Sequence, residues 1–163
     1  MAAYLYSMPQ GFPGMISRYD TIDTEPQIVD SATPPTVYGV PVKMVNNKVQ
    51  PIASGDAAAV VYGILVRPFP FQARTLASTI GTTIPPSDGI ADIMRRGYCM
   101  VRINAGTAAF GGAVYTRVAA GTAAKPIGGI EAVADGTNTI VVPNAQFMSA
   151  GDASGNVEIA FNI

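Results

Sequence analysis

Histidine is absent from the 163-residue sequence, and cysteine occurs once, as Cys99. Without histidine the chain lacks the usual general base, the common serine and cysteine nucleophile arrangements and most zinc sites. A single cysteine allows no intrachain disulfide and no cysteine-based metal site, so Cys99 is interpreted as a small buried apolar residue. The sequence therefore predicts a protein that is not an enzyme and that has no cofactor or metal.

Charged residues are also scarce, at 13% of the chain, where about a quarter is typical. Lys and Arg total 10 against 11 Asp and Glu, which gives a net charge of −1, and no basic run occurs. We therefore expect no nucleic-acid binding, which depends on neutralising phosphates. So few charges protect a monomer poorly against association, and we expect a partner to cover part of the surface.

Long apolar runs are missing as well. No run approaches the roughly 20 residues that cross a membrane. The first residues, Met-Ala-Ala-Tyr-Leu-Tyr, lack both the basic start and the apolar stretch of a signal peptide. We expect no membrane association and synthesis in a cytoplasm.

Glycine and proline are plentiful, with 17 and 13 residues, and 48% of the chain is apolar. This composition is typical of a turn-dense β protein, and the length favours one domain. We predict an all-β body over residues 38–163, a jelly roll or small β-barrel of about eight strands. The predicted strands cover residues 40–45, 48–52, 58–66, 98–103, 113–118, 125–133, 136–148 and 157–163.

Two of these segments carry specific signals. Val157, Ile159, Phe161 and Ile163 alternate with smaller or polar residues, so the terminal strand is predicted to lie inside the sheet with one buried face. The pair Asn46-Asn47 predicts a hairpin, which two flanking prolines confine to a sheet edge.

Residues 90–96 are interpreted as the one short helix, with Ile90, Ile93 and Met94 on one side and Gly97 as its stop.

Residues 1–37 form a separate predicted unit, an extended N-terminal arm. Its prolines and glycines exclude a long helix, yet it is too apolar for a solvated tail. It either packs on its own barrel or lies on a neighbouring subunit or on a host surface. The Phe rings of the Pro-Phe-Pro-Phe segment at 68–71 either cap the barrel or anchor a partner. The candidate partner contacts are Phe12, Ile16, Arg18, Tyr19, Phe69 and Phe71.

Other motifs carry ordinary turn chemistry. The loop at 106–112 has phosphate-loop glycine spacing but no following Lys-Ser or Lys-Thr. The acids at residues 20–25 lack the spacing of a calcium loop and are interpreted as solvated. Nothing pairs two carboxylates for hydrolysis, which leaves a carboxylate-only hydrolase as a weak alternative.

Four short segments resemble the capsid cement (decoration) proteins of tailed phages. They are residues 144–149 (Asn-Ala-Gln-Phe-Met-Ser), 155–162 (Gly-Asn-Val-Glu-Ile-Ala-Phe-Asn), 38–43 (Tyr-Gly-Val-Pro-Val-Lys) and 63–67 (Gly-Ile-Leu-Val-Arg). The resemblance implies a structural protein on the outer capsid surface that clamps adjacent major capsid proteins. It also implies other copies of the chain, as a dimer or trimer, as partners, and synthesis in a bacterial host. The shared segments are strands and turns, so no functional residue carries over. A β-sandwich that binds a receptor or a carbohydrate is the alternative, although tryptophan is absent.

Overall fold

The computed structural model describes residues 11–68 and 84–163. Within these ranges the chain folds into nine strands and two short 3₁₀ turns, Ala58–Val60 and Gly136–Asn138, which confirms the all-β prediction. The strands are β1 (Ile16–Ile28), β2 (Pro41–Val45), β3 (Lys48–Pro51), β4 (Gly63–Val66), β5 (Ile90–Ala105), β6 (Ala113–Arg117), β7 (Ile130–Glu131), β8 (Thr139–Phe147) and β9 (Asn156–Phe161).

Five strands close into a ring around the main core. β5 pairs with β7, β7 with β6, β6 with β8, β8 with β9, and β9 returns to β5. A closed ring leaves few unpaired backbone groups inside it, and its inward side chains form one apolar cluster. That cluster includes Cys99, Val101, Val114, Ile130, Val142, Phe147, Val157, Ile159 and Phe161. The predicted terminal strand is therefore inside the sheet, and the cysteine is buried as expected.

The remaining strands extend the sheet from the first half of β5. β4, β2 and β3 follow β5 in order, and β3 forms the far edge, as the prolines predicted. Asn46 and Asn47 both have positive φ, 51° and 61°, in the turn between β2 and β3. A second apolar cluster, which includes Val42, Val49 and Leu65, lies beneath these strands. β1 pairs with β5 on the side away from β4.

The predicted helix at residues 90–96 is wrong, because these residues are the first part of the sixteen-residue strand β5. Ile93 and Met94 are both fully buried although they are consecutive, so both faces of the strand are covered here. Ile90 is instead exposed. Gly97 does not end the element, because β5 continues through it. Its φ of +138° is a backbone conformation that residues with a side chain rarely adopt. Backbone pairing with β1 on one side and β4 on the other makes residues 90–96 a strand rather than a helix.

Other boundaries also differ from the predictions. Residues 58–60 form a 3₁₀ turn, and the strand predicted for 58–66 is confined to β4. The strand predicted for 125–133 reduces to the two residues of β7. Ile163 lies beyond β9 and is exposed, so the buried alternation ends at Phe161. In each case the apolar residues in the sequence extend beyond the segment that forms a strand.

A buried ion pair joins two strands of the ring. The Arg117 side chain of β6 is only 2% exposed, and its Nε and Nη2 donate to the Glu131 carboxylate of β7 at 2.5 and 3.0 Å. Nη2 also donates to Asp135 at 2.7 Å, and Nη1 to the carbonyl oxygen of Ala119. Hydrogen bonding to Glu131 and then Asp135 raises the pKa of Arg117, while Arg117 lowers the pKa of Asp135. The pair holds β7 and the following loop against β6.

Candidate functional site

The candidate site is the outer ladder, which we define as β1 together with residues 90–99 of β5. Most side chains of the thirteen-residue β1 are exposed or half-buried, unlike those of the ring strands. Three large apolar side chains are exposed along this ladder: Tyr19 at 55%, Ile28 at 55% and Ile90 at 66%. Ile28 and Ile90 lie directly opposite each other across the two strands. Side chains in that position are neighbours, so the pair forms a continuous apolar surface.

The first half of β1 is fixed to the ring by one charged contact, the Glu158 clamp. Arg18 donates to both carboxylate oxygens of Glu158, with Nη2 to Oε2 at 2.6 Å and Nε to Oε1 at 3.1 Å. Ser17 donates to Oε1 at 2.6 Å. The guanidinium carbon of Arg18 also lies 4.1 Å from the centroid of the Tyr98 ring. The bidentate geometry and the stacked ring both restrict Arg18, and the hydrogen bond to Glu158 raises its pKa.

The second half of β1 is fixed by the Glu25 clamp. The Tyr62 hydroxyl donates to the Glu25 carboxylate, and the Gln27 amide donates to both groups. The guanidinium carbon of Arg95 stacks 3.7 Å from the centroid of the Tyr62 ring. The hydrogen bond from Tyr62 lowers the pKa of Glu25, and the same bond raises the pKa of Tyr62. The sequence predicts that Glu25 is a solvated acid, but in the structure its carboxylate accepts hydrogen bonds that fix β1.

Between the two clamps, β1 forms a bulge. Arg18 pairs with Tyr98 and Asp23 with Arg96, so residues 19–22 all lie opposite the single residue Gly97. Ile22 points inward against the main core, and a Cβ at position 97 would lie 3.3 Å from the Ile22 Cα. A side chain at position 97 would therefore be strained, both by this close approach and by the positive φ. Residues 19–21 are exposed and project from the ladder.

The predicted contact residues occupy different positions. Arg18 and Tyr19 lie on the outer ladder, and Ile16 is half-buried against the main core. Phe12 precedes β1, where its ring lies 5.2 Å from the guanidinium carbon of Arg67. Phe69 and Phe71 are outside the described residues.

Sequence reasoning missed the Ile28–Ile90 pair. Both residues are apolar, but one falls in the predicted arm and the other on the predicted helix face. An available signal was that Ile90 follows the turn at residues 85–89, where strand pairing commonly begins. Neither position alone identifies its partner, since strands β1 and β5 are separated by about 60 residues of chain.

Metal-binding and reactive-thiol features are absent from the described residues. They contain no group of three His, Cys, Asp or Glu side chains that could hold a metal ion. Burial raises the pKa of the Cys99 thiol, which is unsuitable for a nucleophile. In the ranges that the structure covers, no helix is long and apolar enough to cross a membrane.

In the described residues, a closed β ring therefore carries one largely exposed strand that is fixed at two points. The family model for the XM1 gp53 minor capsid protein matches residues 1–161, so the chain belongs to this family and is a minor capsid protein. A chain of the structure titled "The capsid of Myoviridae Phage XM1" has a similar fold, with a TM-score of 0.72 and 16% identity. That match covers 98% of this chain and 95% of the other. No curated protein sequence matches the chain.

Proposed function

We propose that this minor capsid protein is a cement protein: it binds the outer surface of the capsid, clamps adjacent major capsid proteins and performs no catalysis. The observation that carries the proposal is the exposed Ile28–Ile90 pair on a strand ladder that is already fixed at two points. An apolar surface on a rigid support loses little conformational entropy when it binds. The family shows that the chain is a capsid component, which places a large protein surface within reach.

Apolar contact is the expected source of affinity. Arg18 and Glu25 of the ladder are already engaged in the clamps. Asp20, Asp23 and Arg96 are exposed on the same ladder, but charges at the rim of an interface contribute to association rate and specificity more than to affinity. Buried apolar anchors at the centre of an interface commonly contribute about 2 kcal/mol or more each. Ile28 and Ile90 are therefore the proposed anchors.

The experiment is a binding assay with capsids that lack this protein. The double variant Ile28→Ser/Ile90→Ser is expected to bind about 100-fold or more weakly, since about 1.4 kcal/mol corresponds to a tenfold change. Both side chains are exposed, so the isolated fold should be retained, which circular dichroism checks. The matched control is Phe110→Ser, which removes a side chain that is 76% exposed in the loop after β5.

Capsid stability separates cement from other capsid roles. A ligand that binds only the intact shell raises the shell's melting temperature by mass action. Capsids should therefore rupture at a lower temperature without the protein and recover when it is added. Unchanged melting would exclude the cement role. A copy number of only a few per virion would instead favour the receptor- or carbohydrate-binding alternative.

A further inference from the structure

A groove of about 690 Å³ lies on the molecule apart from the Ile28–Ile90 pair. Its apolar wall is formed mainly by prolines around one tyrosine, with Pro35, Tyr38, Pro41, Pro51 and Pro126 among the lining residues. Prolines have no backbone N–H, so this wall offers few donors and favours contact with an apolar or aromatic side chain.

The groove is cationic among the residues that the structure describes. Arg67 and Arg102 line it, and no described lining residue is acidic. Arg67 is buried, with Nε donating to the carbonyl oxygen of Pro13 and the guanidinium stacked on the Tyr38 ring. Arg102 is the exposed cation at this site. An occupant with an aromatic ring and a carboxylate close together fits both features.

The β1 bulge presents this combination. Tyr19 and Asp20 are adjacent, both are exposed, and the clamps on either side hold the bulge in place. Asp20 interacts electrostatically with Arg18, but Arg18 is engaged by Glu158 through two hydrogen bonds. The Asp20 carboxylate is therefore available to a second cation.

Asp20 of the bulge cannot reach Arg102 of its own chain. It lies opposite Gly97, and Arg102 is five residues further along the same strand. At ~3.3 Å per residue this is about 17 Å, beyond the combined reach of an aspartate and an arginine side chain. A pairing of Asp20 with Arg102 therefore requires two copies of the chain.

We propose that the β1 bulge of one copy inserts into the groove of a second copy, with Tyr19 against the proline wall and Asp20 paired with Arg102. Because two different surfaces meet, the contact is heterologous and leaves one free bulge and one free groove on each pair. Further copies add in the same way and form a ring if the rotation between copies closes, or an open chain if it does not. This interaction does not depend on the capsid-binding role and is tested without capsids.

The experiment is sedimentation velocity on the full chain across a concentration series. The wild type is expected to sediment as an oligomer, and Asp20→Arg and Arg102→Asp are each expected to weaken association about tenfold or more, since each places like charges together. The chain that carries both substitutions should regain association because the pair is restored with reversed signs. Asp20→Asn should give an intermediate effect without placing a cation beside Arg18.

The control is Asp88→Arg, which makes the same charge change at an exposed turn. It should associate as the wild type does, and circular dichroism should show the same fold for every variant. A wild type that stays monomeric throughout the series, or single reversals that associate normally, would overturn the proposal. So would a double variant that remains dissociated while folded. If the wild type is monomeric and the single variants lose capsid binding, the groove binds another capsid chain. That outcome also overturns the proposal.

Discussion

The closed ring and the outer ladder share strand β5 but are held by different forces. In the ring, Val157, Ile159 and Phe161 of β9 are buried between neighbouring strands, so apolar burial fixes the strand. On the ladder, β1 has few buried side chains and is held through backbone pairing and two clamps. Because the two clamps fix β1 through polar contacts at Arg18 and Glu25, its outer surface stays uncovered. Because apolar burial is concentrated in the ring, the ladder can keep apolar side chains exposed.

The largest expected effect is in the ring, at the buried ion pair. Arg117→Ala removes the partner of Glu131, which is then buried with an uncompensated charge. We expect the free energy of unfolding to fall by about 3–5 kcal/mol. Urea denaturation of the variant and the wild type measures this difference.

The control is the double variant Arg117→Met/Glu131→Leu. Replacing a buried ion pair by apolar residues of similar volume is often neutral or stabilising. The double variant should therefore be much more stable than Arg117→Ala. If the two variants lost the same stability, unpaired charge would not be the cause.

A matched isoleucine pair tests the comparison directly. Ile159→Ala in β9 creates a cavity in a fully buried position and should cost about 2–5 kcal/mol. Ile28→Ala in β1 removes an exposed side chain and should change stability by about 0.5 kcal/mol or less. Thermal or urea unfolding of both variants gives the two values. Equal losses would show that β1 belongs to the same packed core as β9.

The smallest effect is expected at the Glu158 clamp. Arg18→Ala removes the two bonds to Glu158 and the stacking on Tyr98, so the first part of β1 should separate from β5 more often. Amide hydrogen exchange should become severalfold faster at residues 16–18 and stay unchanged in β8 and β9. Arg96→Ala, at an exposed arginine of the same ladder, is the control. Faster exchange throughout the ring would mean that the clamp supports the whole fold.

Much of the fold was predictable because its signals are local. The alternation at residues 157–161 and the Asn46-Asn47 turn depend on neighbouring residues only, and both predictions are confirmed. The absence of histidine likewise limits the chemistry that this chain can perform in any fold. Of the candidate contacts, Tyr19 is predicted to present its ring because it lies in an extended segment of the sequence. In the structure its side chain is exposed on the ladder. Its role in binding stays a prediction.

What the sequence by itself determined is the all-β class, the edge hairpin and the terminal core strand, because each follows from composition or from spacing of one or two residues. Only the tertiary structure decided that residues 90–96 are a strand, that Ile28 faces Ile90 and that Arg117 meets Glu131. An apolar segment such as 90–96 fits a helix or a buried strand equally well by its own pattern. Strand partners distant in the chain supply the backbone hydrogen bonds and the buried faces that distinguish the two, and no local pattern specifies those partners.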